Sequence, residues 1–133
     1  MQEYSTENII NLALVGHSSS GKTILTEAML FNAGVIHEMG TIQEGTTISD
    51  FHDYEIEDQH SISLSLINYE WLEKKFNVLD SPGLLDFQGE LRSALRVADF
   101  ASIVVNAAHG IEVGTEVAWA SAHKELKVPR LFI

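Results

Sequence analysis

The sequence predicts an α/β domain with a mostly parallel sheet and helices on both faces. Three observations predict it. An apolar run over residues 9–15 leads directly into a polar loop bracketed by glycines, and then into a segment of helical spacing. A second continuous apolar run, over 100–107, has the composition of a strand covered on both sides. Strand-like and helix-like stretches alternate as β-α-β-β-α-β-α-β, an order that favours parallel strands joined through helices.

The elements follow in order. The first strand covers 9–15 and the first helix 22–33, with Gly34 at its C-terminal cap. Residues 37–60 have little apolar periodicity and carry Gly40, Gly45 and an acidic run. They read as one long loop, which inside a compact domain is usually functional or mobile. Ser61-Ile62-Ser63-Leu64-Ser65-Leu66-Ile67 alternates with period two and reads as a half-buried strand. A short turn near Glu73 joins it to a strand over 74–80, making a hairpin. A helix over 87–97 turns Phe87, Leu91, Ala94, Leu95 and Ala98 inward. The strand over 100–107 comes next, then a helix over 113–126 and a strand opening at Val128, where Pro129 is tolerated. The chain is expected to be the N-terminal part of a domain spanning 1–133, with an apolar side of the sheet left uncovered beyond the fifth strand.

Composition narrows the function. The 133 residues allow one domain with an adequate core. The chain has no cysteine, which removes disulfides and thiolate metal sites and fits a reducing cytoplasm. The N-terminus is polar and acidic, without the basic and apolar regions of a signal peptide, and no apolar run is long enough to span a bilayer. A net charge of −11 argues against general nucleic-acid binding by this segment.

The loop after the first strand is Gly16-His17-Ser18-Ser19-Ser20-Gly21-Lys22-Thr23. It fits Gly, four residues, Gly-Lys, Ser or Thr, a pattern that arises by chance in roughly one in several hundred chains of this length. Such a loop turns backbone N–H groups inward around a polyphosphate, and the following helix adds its N-terminal partial charge. Lys22 then reaches the outer phosphates, where it stabilises charge during transfer, and the Thr23 hydroxyl ligates Mg²⁺. Asp80-Ser81-Pro82-Gly83 ends the strand over 74–80. An aspartate there can hold Mg²⁺ through water, and a glycine three residues later can turn its N–H onto a γ-phosphate. Ser61, at the end of the long loop, is a third candidate that can close its hydroxyl over the metal. His60 reads as a solvated loop residue, and Trp71 and Trp119 as packing residues.

With these elements placed, the chain resembles translational GTPases of the elongation factor G group, which are P-loop NTPases. The resemblance runs from Ile9 to Ile133. It includes Leu30-Phe31-Asn32-Ala33-Gly34, Gly45-Thr46-Thr47 with Asp50, Asp80-Ser81-Pro82-Gly83 with Asp86-Phe87, and Val128-Pro129-Arg130. Gly89-Glu90-Leu91-Arg92 and Gly114-Thr115-Glu116 are closer still to elongation factor G-like paralogues, and tetracycline-resistance ribosomal protection proteins share much of the pattern. The resemblance implies a GTP-binding domain of a ribosome-associated cytoplasmic factor, using GTP/GDP and Mg²⁺. Gly16, His17, Ser18, Ser19, Ser20, Gly21, Lys22 and Thr23 would form its phosphate loop. The segment over 38–63 would be switch one, with Ser61 at a metal-ligand position beside Thr23. Asp80, Ser81, Pro82, Gly83 and Leu84 would open switch two, with Asp80 reaching the metal through water. The guanine-reading Asn-Lys-x-Asp is expected after the Val-Pro-Arg strand, beyond Ile133.

The chain departs from that pattern at informative places. Gln59-His60-Ser61 stands near the place where the family carries Arg-Gly-Ile-Thr, and Ser19 stands where the translating factors carry an aspartate. Leu84 stands where the family has a histidine that orients the attacking water. Leucine can neither donate nor accept a hydrogen bond, so hydrolysis is predicted to be slow or to rely on another group. Of the nearby histidines, His17 reads as structural. Two readings stay open beside GTP hydrolysis: a nucleotide-dependent binding switch that turns over poorly, and an unrelated phosphate-loop ATPase or kinase.

Overall fold

The computed structural model describes residues 3–133. Five strands, β1 (Ile9–Gly16), β2 (Ser65–Trp71), β3 (Lys74–Asp80), β4 (Phe100–Val104) and β5 (Arg130–Phe132), form one sheet in the order β2-β3-β1-β4-β5. β1 pairs in parallel with both β3 and β4, and β4 with β5, so only the β2–β3 hairpin is antiparallel. The four helices are α1 (Lys22–Asn32), α2 (Asp53–Asp58), α3 (Gln88–Val97) and α4 (Val113–Ala120).

Strand alternation separates the core into two layers. Leu12 and Leu14 of β1, with Val78 and Val104, meet Leu25 and Met29 of α1 on one face. Ala13 and Val15, with Leu79, Ala101 and Ile103, meet α3 and α4 on the other, where Leu91, Ala94, Leu95 and Ala118 are buried. Helices therefore cover both faces, as predicted. α1 ends as expected: Gly34 takes φ +72, Val35 N–H bonds Leu30 O and Gly34 N–H bonds Phe31 O, each at 3.0 Å, which satisfies the last-turn carbonyls. The hairpin turn is Leu72-Glu73, both at positive φ, the backbone that matches the twist of the flanking strands.

Five elements differ from their predicted form, the simplest being β5, which starts at Arg130 and not at Val128. The loop over 37–60 contains α2, whose N-terminus is closed by a reciprocal cap between His52 and Glu55 and whose end turns at Gln59, φ +56. β2 starts at Ser65, not Ser61. The N–H groups of Ile62 and Ser63 are taken by the Glu55 carboxylate and that of Leu64 by Glu90, which keeps them out of the ladder. The alternation also buries less than predicted, because β2 is an edge strand: Leu64 packs against the α3–α4 core while Leu66 is 65% exposed. The last helix stops being α-helical at Ala120 and continues as a π-helical turn over Ser121–Glu125, closed by Leu126 N–H on Ser121 O. β4 ends at Val104, before the turn in which Asn106 bridges Gly110. Leu131, Phe132 and Ile133 are all exposed, with the Phe132 ring stacked on Trp119.

Leu95 is 1% exposed in the α3–α4 layer. Leu95→Ala is expected to destabilise the protein by about 2–5 kcal/mol, because the sheet beneath cannot collapse into the space left. Urea denaturation measures this, and a loss well below that range would show that the layer is loosely packed.

Candidate nucleotide-binding site

The C-terminal end of β1 lies between β3 and β4, where a doubly wound sheet opens its crevice. The chain must leave the strand there at once, and glycine allows it. Gly16 has φ +141, and a Cβ at this position would lie 2.4 Å from Val104 O. The loop then closes on a buried cation. Lys22 Nζ donates to Gly16 O at 3.2 Å and His17 O at 2.6 Å, and approaches Ser20 Oγ at 3.4 Å. Burial pushes the Lys22 ammonium down to about 8, against the opposing pull of Asp80 and Asp50.

Thr23, the first residue after the lysine, puts Oγ1 3.4 Å from Ser61 Oγ. Ser61 Oγ in turn donates to Asp50 Oδ1 at 2.6 Å. Asp50 is buried, and desolvation raises its carboxyl above the usual range even though the Ser61 hydroxyl favours the ionised form. Asp80, at the end of β3, is 2% exposed. Its Oδ2 accepts from Thr26 Oγ1 at 3.3 Å, while Oδ1 makes no hydrogen bond of good geometry, although the Ser49 hydroxyl is near enough to favour the ionised carboxylate. Burial pushes it up to about 6 against the attraction of Lys22. A buried carboxylate oxygen with no partner is costly, so this end of the sheet is electrostatically unfinished.

Gly83 closes the cleft from the far side. A Cβ there would lie 2.5 Å from Ser18 N and 2.6 Å from His17 C, so only glycine lets this segment rest on the phosphate-loop backbone. Ser18, Lys22, Thr23, Ser61 and Gly83 line one cleft, which brings the predicted loop, Ser61 and the Asp80–Gly83 run together. Other predicted residues point elsewhere. Ser81 gives both its N–H and its hydroxyl to Leu14 O, at 3.2 and 2.8 Å, and Pro82 is buried, so these two anchor the segment to β1. Leu84 precedes a 3₁₀ turn over Leu85–Phe87, outside the cleft lining. Ser19, at φ +59, is exposed but also lines the cleft, and its carbonyl accepts from Asn106 Nδ2 at 3.3 Å.

His17 is structural in its contacts. Its Nδ1 accepts from Gly114 N–H at 3.2 Å, and Nε2 lies 3.5 Å from Glu112 Oε1, which fastens the loop to the start of α4. His60, read from sequence as merely solvated, is exposed but lines the cleft beside Gln59 and Ser61.

Sequence reasoning missed the carboxylates that hold the long loop in place. Glu27 of α1 is 1% exposed and accepts from Gly40 N–H at 2.8 Å and Ile48 N–H at 2.7 Å. Glu55, equally buried, accepts from Ile62 and Ser63 N–H, each at 2.9 Å. Asp50 was visible in the Gly45-Thr46-Thr47 pattern but had no assigned role. A buried glutamate on a helix face carries no local signal for the distant amides it will meet.

The donor set tests the implied Mg²⁺. Two hydroxyls and two buried carboxylates are hard oxygen donors, and the unpartnered Asp80 Oδ1 leaves one free to accept from a metal-bound water. No group of three His, Cys, Asp or Glu side chains converges into a metal site among the described residues. No helix among the described residues is long and apolar enough to cross a membrane.

Comparison with known proteins agrees with this geometry. The elongation factor Tu GTP-binding domain family matches residues 7–133. The chain is 40% identical over 123 residues to an elongation factor G-like protein of Mycobacterium tuberculosis, covering 92% of this chain and 17% of that protein. It is 37% identical to elongation factor G of Petrotoga mobilis, covering 96% and 18%. It is 36% identical to a tetracycline resistance protein of Campylobacter jejuni, covering 93% and 19%. A crystal structure of a Thermus thermophilus protein superposes with a TM-score of 0.89 at 40% identity, covering 93% of this chain and 19% of that one. The chain thus spans about a fifth of the length of the relatives it matches.

The Asp80 environment gives a pH prediction for the ligand-free protein. The folded Asp80 carboxyl, at about 6, lies above its usual 3.8, so the folded chain holds this proton more tightly. Asp80 therefore adds stability that is complete below the lower value and lost as pH rises through the upper one. Relative to Asp80→Asn, the wild type should lose about 3 kcal/mol across that window. Urea denaturation at a series of pH values measures the difference, and a pH-independent gap would remove this account of Asp80.

Proposed function

The chain belongs to the elongation factor Tu GTP-binding domain family, and from that premise we propose that it binds GTP with Mg²⁺ and hydrolyses it in a ribosome-associated translation factor of the cytoplasm. The observation that carries the reading is the meeting of Lys22, Thr23, Ser61 and Gly83 in one cleft above the buried Asp80. In this reading the N–H groups of residues 16–23 cradle the phosphates and Lys22 takes the β- and γ-oxygens. Thr23 and Ser61 would hold Mg²⁺ directly and Asp80 through water; bound there, the cation neutralises charge building on the phosphate oxygens. Gly83, which rests on the loop, would turn its N–H onto a γ-phosphate when one is bound. The acidic surface matters little to binding, because the loop amides and Lys22 set the local potential.

One observation favours a second reading, a switch that binds GTP and turns over poorly. Leu84 offers no polar group and stands outside the cleft. Single-turnover hydrolysis with and without ribosomes separates the two, since undetectable turnover in both removes the enzymatic reading and leaves the binding one.

Lys22→Ala tests the site itself. Triphosphate affinity is expected to fall by several kcal/mol, about the loss seen when one partner of a buried charged contact is removed. Titration with a fluorescent GTP analogue measures it, and unchanged affinity would show that the loop is not the site. Competition by ATP tests the base, because displacement of the analogue by ATP as readily as by GTP would contradict guanine specificity.

A further inference from the structure

We infer that His60 orients the attacking water for GTP hydrolysis, in the place that Leu84 cannot serve. The inference rests on reading the cleft as the GTP site. Phosphate-loop GTPases need a polar side chain near the γ-phosphate to aim water in line with the bond that breaks. The lining of this cleft leaves few candidates. Lys22 is bound to loop carbonyls, Ser61 to Asp50, and Thr23 stands against Ser61. Ser18 and Ser19 belong to the loop that wraps the phosphates, and Ile42 is apolar. Glu27 and Glu55 are committed to backbone amides. Asp50 also lines the cleft, but it is buried and takes the Ser61 hydroxyl beside the proposed metal position, which leaves Gln59 and His60 as the lining residues with an acceptor outside the phosphate-and-metal set.

Between these two, backbone placement favours His60. Gln59 makes the left-handed turn that ends α2, with φ +56. His60 comes after the turn, one residue from the Ser61 hydroxyl that meets Thr23. Its position is fixed on both sides. Its N–H donates to Glu55 O at 3.2 Å, and two residues on, Ile62 N–H donates to the Glu55 carboxylate at 2.9 Å. A short, planar imidazole on so fixed a backbone can accept a hydrogen bond from water and aim its oxygen. His60 is exposed, so that water can enter from solvent.

The step balances without any further reactant. The water oxygen forms a bond to the γ-phosphorus, and the bond from that phosphorus to the β,γ-bridging oxygen breaks. GDP leaves with the electron pair, and the water proton passes to the oxygens of the released phosphate. His60 positions the nucleophile and does not keep the proton.

The test is single-turnover GTP hydrolysis by the full-length protein, with and without ribosomes, alongside titration with a fluorescent GTP analogue and with GDP. His60→Ala is expected to slow hydrolysis about 10²-fold or more, with both affinities within about twofold of wild type. His60→Gln, which keeps an acceptor, should retain an intermediate rate, and Gln59→Ala should stay within about threefold of wild type. A wild-type rate in His60→Ala, or a loss confined to Gln59→Ala, overturns the assignment. So does a parallel fall in rate and triphosphate affinity that His60→Gln fails to relieve, because position 60 would then only order the segment. A wild type that binds GTP but never hydrolyses it removes the hydrolytic reading and the role of His60 together. A wild type that does not bind GTP removes the reading of the cleft.

Discussion

The Lys22 ammonium is buried and held by carbonyl oxygens rather than by a carboxylate, and the rest of this end of the molecule depends on that arrangement. The Gly16 and His17 carbonyls can reach one nitrogen only if the chain doubles back as it leaves β1. That in turn requires the positive φ of Gly16 and its bare contact with Val104. The acids nearest in the electrostatics, Asp80 and Asp50, pull on the ammonium without forming an ion pair with it; among the described residues the Lys or Arg ion pair with a carboxylate is Arg92–Glu125. The result is a buried cation, two buried acids pushed up by desolvation, and an unpartnered carboxylate oxygen. A polyanion beside the ammonium and a cation beside the acids would complete this arrangement, and each lowers the cost of burying the other.

The same chemistry explains how an acidic chain keeps a long polar segment in place. Residues 37–64 contribute little to the core, yet their backbone amides are collected by Glu27, Glu55 and Glu90. Carboxylate-to-amide bonds are among the stronger hydrogen bonds, and an acid that accepts two needs no cation to be tolerated in the interior. Part of the chain's negative charge is thus structural. It tethers the loop that covers the cleft.

These tethers also mark where the sequence stopped being legible. The phosphate loop, the hairpin, the parallel strands and the two-sided helix cover follow from local pattern and chain order, and the structure has all of them. Ser61 was found beside Thr23 because the chemistry of the loop called for a hydroxyl there. What could not be read is what distant partners decide. The late start of β2 is set by Glu55 and Glu90, up to 26 residues away along the chain. The helix hidden in the acidic run depends on its His52–Glu55 cap, and the π turn on packing after Ala120. The roles of Glu27 and Asn106, and the turning of the Ser81 hydroxyl onto Leu14, carry no periodic signal at all.

The distribution of tethers constrains how a nucleotide could act on this segment. A ligand moves an equilibrium only through contacts that differ between the two states. The Glu27 bonds join Gly40 and Ile48 to α1, and none of the three residues lines the cleft, so nucleotide identity has less direct hold on them. The Glu55 bonds lie wholly within residues 52–63, so they travel with that piece and make it behave as a unit. What remains at the cleft is the long 3.4 Å approach of Ser61 to Thr23 and the Ser61–Asp50 bond. A neutral hydroxyl pair at that distance contributes little by itself. The α2 unit is therefore internally rigid but weakly fastened to the phosphate loop, and its fastening passes through the residues that would meet the metal and the γ-phosphate. That combination suits a segment whose closure is decided by what occupies the cleft, and it places His60 on the same hydrogen-bonded piece of chain as Ser61.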